Sequence, residues 1–255
     1  CTDRAFREIP SDLPLITVRL TLDWNFIEAL SAPSFSTLHS LENFSIAHNR
    51  VSTIKNGTFE SIVNLTELLL SDNQLTFVPY GLQKLSKLTY LDLSQNRISK
   101  IAGSSFSSSL IELQLAGNYI TILDETSFKG LKNIEILNLR NNRIHIVDKN
   151  VFVDLPNLRS LDLIHNAIRK LPRGWLGNSS SLSELLMTGN KLIWMTDVRE
   201  WYTPGTTINL DTLFPNKNHV SSLPGSAFRG LSKMETLCLN VPIFDALLPD
   251  WVNVH

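Results

Sequence analysis

Apolar and polar residues alternate along this chain in short bursts, and each burst closes on an asparagine. Leu68, Leu70, Asn73 and Leu75 show the pattern, as do Leu91, Leu93, Asn96 and Ile98. Leu137, Leu139, Asn142 and Ile144 repeat it, and so do Leu161, Leu163, Asn166 and Ile168. The asparagines are Asn25, Asn49, Asn73, Asn96, Asn118, Asn142, Asn166, Asn190 and Asn218, mostly 24 residues apart, with 28 before the last. Ten residues after many of them a Phe recurs, at Phe35, Phe59, Phe106, Phe128, Phe152 and Phe228. An apolar pair of period two predicts a short strand that buries one face. One such unit cannot cover its own apolar side, whereas stacked copies can, so the pattern predicts a solenoid with one strand per repeat. Parallel strands stack about 4.7–4.9 Å apart, which sets the rise per repeat. A buried Asn has two amide donors and an acceptor, so a column of them can satisfy backbone groups where the chain turns. The recurring Phe fills the far side of the cross-section.

The run L-x-x-L-x-L-x-x-N-x-L resembles the leucine-rich repeat, and the resemblance covers nearly the whole chain. The 24-residue period with a Phe in its second half is similar to the extracellular, typical class. Ectodomains of Toll-like, Slit-like and variable lymphocyte receptor proteins belong to that class. Cytosolic members resembling ribonuclease inhibitor are longer, with a full helix per repeat. Here the second half is too short, and Pro79, Pro172 and Pro224 argue for irregular segments. The resemblance implies an α/β fold, a right-handed horseshoe solenoid with a parallel concave sheet and an irregular, short-helical convex side.

Residues 1–16 are expected to be the remnant of a cysteine-rich N-terminal cap, because Cys1 to Pro14 looks like the tail of one. Residues 17–255 then hold about ten repeats. The last begins with Met234, Leu237 and Leu239 but has Pro242 where Asn belongs. Both ends read as a trimmed piece of a longer ectodomain. Cys1 and Cys238 lie about nine repeats apart, on the order of 45 Å by strand spacing. A disulfide tolerates roughly 7 Å between Cα atoms, so the two are not expected to pair.

Composition narrows the classes further. With 43% hydrophobic and 18% charged residues the chain is expected to fold. A net charge of −1 gives no whole-molecule attraction to nucleic acid. No apolar run reaches the roughly 18 residues of a membrane span, so a membrane would be reached only through a segment outside this chain. There is no G-x-S-x-G elbow, phosphate-binding glycine loop, H-E-x-x-H helix or C-x-x-C pair. His48 and His165 both precede ladder asparagines but stand on the order of 24 Å apart, too far to share a metal. The expectation is a non-enzymatic protein without a cofactor. Sequons at Asn43, Asn56, Asn64 and Asn178 fit an extracellular chain and are candidate glycosylation sites, although a glycan on Asn43 would crowd the strand face.

When the ladder Asn is taken as ninth in its repeat, the second, third, fifth, seventh and eighth residues are expected to face outward on the concave side. They include Asp23, Glu42, Glu67, Asp72, Asp92, Glu112, Glu135, Asp162, Glu184, Asp211 and Glu235, against Arg19, Arg140, Arg159 and Lys217. The balancing positives fall just after the Asn, at Arg50, Arg97, Lys100, Arg143, Arg169, Lys170 and Lys191. Tyr90, Ile136, Ile164, Leu186 and Phe214 add apolar groups to the same outward set. Two readings stay open: a solvated surface, or a face for a protein ligand with basic character. The candidate ligand-binding residues are Asp72, Tyr90, Asp92, Glu112, Ile136, Asp162, Ile164, Leu186 and Phe214. Phe214 has an inward alternative, because Pro215 takes a leucine place. The insertion around Trp194 to Gly205 is either an aromatic contact loop or a distorted repeat with Met195 and Trp201 in core slots. The function expected is protein recognition by a receptor, adhesion or innate-immune ectodomain, with a homodimer or heterodimer compatible. The alternative is a secreted matrix protein of the small leucine-rich proteoglycan kind.

Overall fold

The alternating residues of each repeat form one strand of two or three residues. A computed structural model describes residues 1–193, 195–220, 224, 226–228 and 231–237. Its main strands are β1 (Arg19–Thr21), β3 (Asn43–Ser45), β5 (Glu67–Leu69), β6 (Tyr90–Asp92) and β7 (Glu112–Gln114). They continue with β9 (Ile136–Asn138), β11 (Ser160–Asp162), β12 (Glu184–Leu186), β13 (Thr212–Phe214) and β14 (Thr236–Leu237). These ten make one parallel sheet in which spatial order follows chain order. The central leucines stand in register, Leu91 beside Leu113, Leu113 beside Leu137, and Leu161 beside Leu185. All are fully buried.

On the return side the pairs β2 (Ala29–Leu30) with β4 (Thr53–Ile54), and β8 (Ile122–Leu123) with β10 (Ile146–Val147), run parallel. Three 3-10 turns complete the crossovers, at Ala32–Phe35, Leu82–Lys84 and Val198–Trp201. Among the described residues no α-helix forms, and these turns are the short-helical part of the irregular return side that was expected. A 3-10 segment advances about 2.0 Å per residue against about 1.5 Å for an α-helix, so it spans the cross-section with fewer residues.

Aromatic rings run down the far side of the core. Phe128 packs on Phe152 with centroids 5.9 Å apart, Phe152 on Trp175 at 5.7 Å, and Trp175 on Trp201 at 6.0 Å. Trp175 and Trp201 thus fill the place where Leu176 and Glu200 interrupt the Phe period. Met195, Val198, Trp201 and Tyr202 of the insertion are all buried, which is the distorted-repeat alternative; Trp194 lies outside the described residues. So do Cys238, Leu239 and Pro242, while Cys1 is a free, exposed thiol.

The asparagines close the stack. Asn142 accepts the N–H of Ile120 at 3.1 Å and donates to the carbonyls of Leu115 at 2.9 Å and Leu139 at 3.0 Å. One side chain therefore ties two repeats. At the front, Asn25 accepts from the backbone N–H groups of Arg4 and Phe6 and donates to the Cys1 carbonyl. Residues 1–6 hence occupy the place of a preceding turn. The residue before each ladder Asn is left-handed whatever its type: Trp24, His48, Asp72, Gln95, Asn141, His165 and Lys217 all have φ between 51 and 59°. That conformation is uncommon outside glycine. It is held here by cross-repeat bonds such as His48 N–H to the Ser71 carbonyl at 3.1 Å.

Candidate functional site

Each three-residue strand from β1 to β12 buries its middle residue and turns the two flanking ones outward, so the exposed face consists of two columns. One runs Glu67, Tyr90, Glu112, Ile136, Ser160, Glu184 and Thr212 in register. The other runs Leu69, Asp92, Gln114, Asn138, Asp162, Leu186 and Phe214. Tyr90 accordingly sits between Glu67 and Glu112, with Asp92 two residues along its own strand. Burial pushes its phenol up to about 12, and Asp92, Glu112 and Glu67 add to the shift by opposing a phenolate.

These carboxylates are held in place. Glu67 accepts from the Asn43 amide at 2.6 Å and Glu112 from the Gln114 amide at 2.8 Å. Asp92 accepts the Ser94 N–H at 2.8 Å, and Asp162 the Ile164 N–H at 2.8 Å. Glu184 accepts from the Ser160 hydroxyl at 2.5 Å. Asp162 titrates above the usual carboxylate range, because burial outweighs its bond to the Ile164 N–H. The face is thus a preorganised set of acceptors.

Ile136 is 37% exposed, and Ile164 and Leu186 are half-buried beside the acidic groups. Leu186 pairs with Phe214 in register, as their shared position requires; the side chain of Phe214 lies outside the described residues. Asp72 stands apart from the Tyr90 cluster. It follows the strand end at a left-handed position, and its carboxylate lies 3.6 Å from Nδ1 of His48. His48 in turn stacks on Trp24, with centroids 3.9 Å apart and planes 16° from parallel.

Sequence reasoning missed several apolar groups of this face, Val18 among them. Leu69 neighbours Asp92, and Ile111, 42% exposed, precedes Glu112. Both hold outward positions, but Leu69 lies within a Leu-Leu-Leu run that conceals which member faces out. The Trp24–His48 stack was missed as well.

Two of the four sequon asparagines are structurally engaged through the amide nitrogen. Asn43 donates to Glu67, and Asn64 donates to the His39 carbonyl at 2.8 Å. Asn133, Asn157 and Asn209 repeat the Asn64 bond, to the carbonyls of Ser108, Lys132 and Ser180. This is a second asparagine ladder, marked in sequence by Asn directly before the first Leu or Ile of a repeat. Asn178 only accepts, from the Thr206 hydroxyl at 3.4 Å, and Asn56 lies exposed in a turn. Among the described residues no group of three or more His, Cys, Asp or Glu could hold a metal ion, and no helix is long and apolar enough to cross a membrane.

A family model described as leucine rich repeat matches residues 18–75, 86–144 and 132–192, and a two-copy model of the repeat matches 63–106. The chain belongs to the leucine-rich repeat family. It is 32% identical to Toll-like receptor 8 of Homo sapiens over 162 residues, covering 54% of this chain and 15% of the receptor. Asporin of Bos taurus is 34% identical over 98 residues, 38% of this chain and 26% of asporin. Lumican of Gallus gallus is 30% identical over 123 residues, 48% of this chain and 35% of lumican. The chain therefore spans between 15% and 35% of the length of these relatives.

Proposed function

We propose that the strand face recognises an extracellular protein ligand that presents basic side chains beside an apolar segment. The observation that carries this reading is Tyr90 set between Glu67 and Glu112 with Asp92 alongside. A Lys or Arg side chain of the ligand meets fixed carboxylates and an aromatic face there. Ile111, Ile136, Ile164 and Leu186 supply apolar contact further along the sheet, in the manner of a hot spot within a polar rim. The chain acts by binding and performs no chemistry. Residues 1–16 serve as a cap, since they bond to the first ladder asparagine and bury Ile9.

A receptor among the relatives favours a recognition ectodomain, and asporin and lumican keep the alternative of a matrix proteoglycan-like protein in play. The strand-face assignment is common to both. Its test is capture of extracellular proteins by the immobilised chain, compared with a variant carrying Glu67→Lys, Asp92→Lys and Glu112→Lys. A partner retained by the first and lost by the second is the expected result. Equal retention of every partner would overturn the reading.

A further inference from the structure

The flank that follows the ladder asparagines carries a second, chemically opposite surface. The residue directly after each Asn stacks in a column: the N–H of Arg97 bonds the Leu75 carbonyl at 2.8 Å, that of Tyr119 the Ile98 carbonyl at 2.8 Å, and that of Arg143 the Ile120 carbonyl at 2.9 Å. Cations occupy every second rung, as Arg50, Arg97, Arg143 and Lys191, all exposed. Their spacing is therefore about 10 Å, twice the separation of parallel strands. Lys100, Arg169 and Lys170 join them within the next three residues of their repeats. From the second ladder asparagine on, residues 50–53, 74–77, 97–100, 119–122, 143–146, 167–170 and 191–193 contain no Asp or Glu, whereas the first rung carries Glu28. Among the described residues none of the seven cations lies within 4.0 Å of a carboxylate, although Lys100 acts on Asp124 at longer range and four Lys or Arg side chains form ion pairs elsewhere.

Two of these guanidinium groups are also oriented. Arg143 lies over the Tyr119 ring at 4.1 Å from its centroid, and Arg50 over Phe26 at 4.6 Å. Packing on a ring reduces the freedom that an arginine must give up on binding. The net charge of −1 conceals this stripe, because the acidic strand face cancels it in the sum.

We propose that this flank binds a linear sulfated polysaccharide, laid along the column so that its sulfates meet successive cations. An extended disaccharide unit spans about the distance between alternate rungs, about 10 Å by strand spacing, so the register repeats along the polymer. Single-stranded nucleic acid binds by stacking bases on open aromatic rings, and here Arg50 and Arg143 cover a face of Phe26 and of Tyr119.

The test uses heparin as the probe, with the full chain and two quadruple variants. One carries Arg50→Ser, Arg97→Ser, Arg143→Ser and Lys191→Ser. The other removes equal charge from exposed lysines in the second halves of repeats, by Lys55→Ser, Lys129→Ser, Lys132→Ser and Lys149→Ser. Circular dichroism melting checks that both fold. The expected result is that the column variant loses about tenfold or more in heparin affinity at physiological salt, with a shallower salt dependence. The control variant and the parent should bind alike, and desulfated heparin should bind none of them. Failure of the parent to bind, equal losses in the two variants, or equal binding of the desulfated polymer overturns the proposal. So does an oligonucleotide of equal charge that displaces heparin from the column. All eight substitutions lie off the strand face, so the outcome is independent of the reading of that face.

Discussion

The carbonyl oxygen of the Asn142 side chain accepts the backbone N–H of Ile120 at 3.1 Å, 22 residues earlier, so the turn of one repeat is completed by the next. The same amide donates to three backbone carbonyls, those of Leu115, Leu139 and Arg140. Asn142→Ala leaves the buried Ile120 N–H without a partner and weakens the bonding of the three carbonyls, which keep second donors in the Asn118 amide, the Asn166 amide and the Gly117 N–H. The expected cost is about 1–3 kcal/mol per unsatisfied group, an upper limit to be reduced by relaxation, measured by urea unfolding. Wild-type stability in this variant would refute the ladder as a source of cohesion.

Leu137 and Leu161 are fully buried between fixed neighbours on both sides. Leu→Ala at either is expected to cost about 2–5 kcal/mol, since the cavity cannot collapse along the stack. Ile136→Ala, one residue away on the outward face, should stay within about 0.5 kcal/mol. Chemical denaturation of the three variants distinguishes core from face, and equal losses would contradict the register.

Asp162 titrates upward because it is partly buried. A carboxyl whose folded pKa exceeds its unfolded value binds its proton more tightly in the native state. It therefore opposes folding once pH rises above the unfolded value, and fully so above the folded one. Asp162→Asn keeps an acceptor for the Ile164 N–H and removes the charge. It is expected to stabilise the fold at pH 7 and to lose that advantage at pH 3, where both states of Asp162 are protonated. Unfolding curves at the two pH values check this; an advantage confined to pH 3 would contradict it.

Tyr202 is buried and its hydroxyl has no hydrogen-bond partner among the described residues, with burial raising its pKa well above the ordinary phenol value. Replacement by Phe removes the unsatisfied group without opening a large cavity. A gain of about 1 kcal/mol is expected, read from thermal or urea unfolding. A loss of that size would show that the hydroxyl has a partner.

Glycan placement follows from the side-chain amides. Among the described residues the amide nitrogens of Asn56 and Asn178 donate no hydrogen bond, whereas those of Asn43 and Asn64 bond Glu67 and the His39 carbonyl. Glycopeptide mass spectrometry of the chain secreted from animal cells should find Asn56 and Asn178 modified and Asn43 bare. Full occupancy of Asn43 would be incompatible with a strand face open to ligand.

The period, the strand positions and the ladder asparagines were legible in the chain alone, because each repeat states its needs locally. Leu68, Leu70, Asn73 and Leu75 suffice to define one strand and the turn after it. The outward set was legible in part. Tyr90, Ile136 and Leu186 follow from strand alternation, while Leu69 disappears into a run of leucines and the side chain of Phe214 lies outside the described residues. Tertiary structure alone decided that Trp175 and Trp201 take the place of Phe, because that choice depends on which ring reaches its neighbour across the core. It also decided that Trp24, His48, Gln95 and Lys217 share one left-handed conformation. No common side chain marks that column, since the constraint lies on the backbone and, at Trp24, His48 and Gln95, is closed by a carbonyl one repeat away. Stacking likewise separated the acidic strand face from the basic flank: sequence sums the two to −1, and only the columns show them as two surfaces.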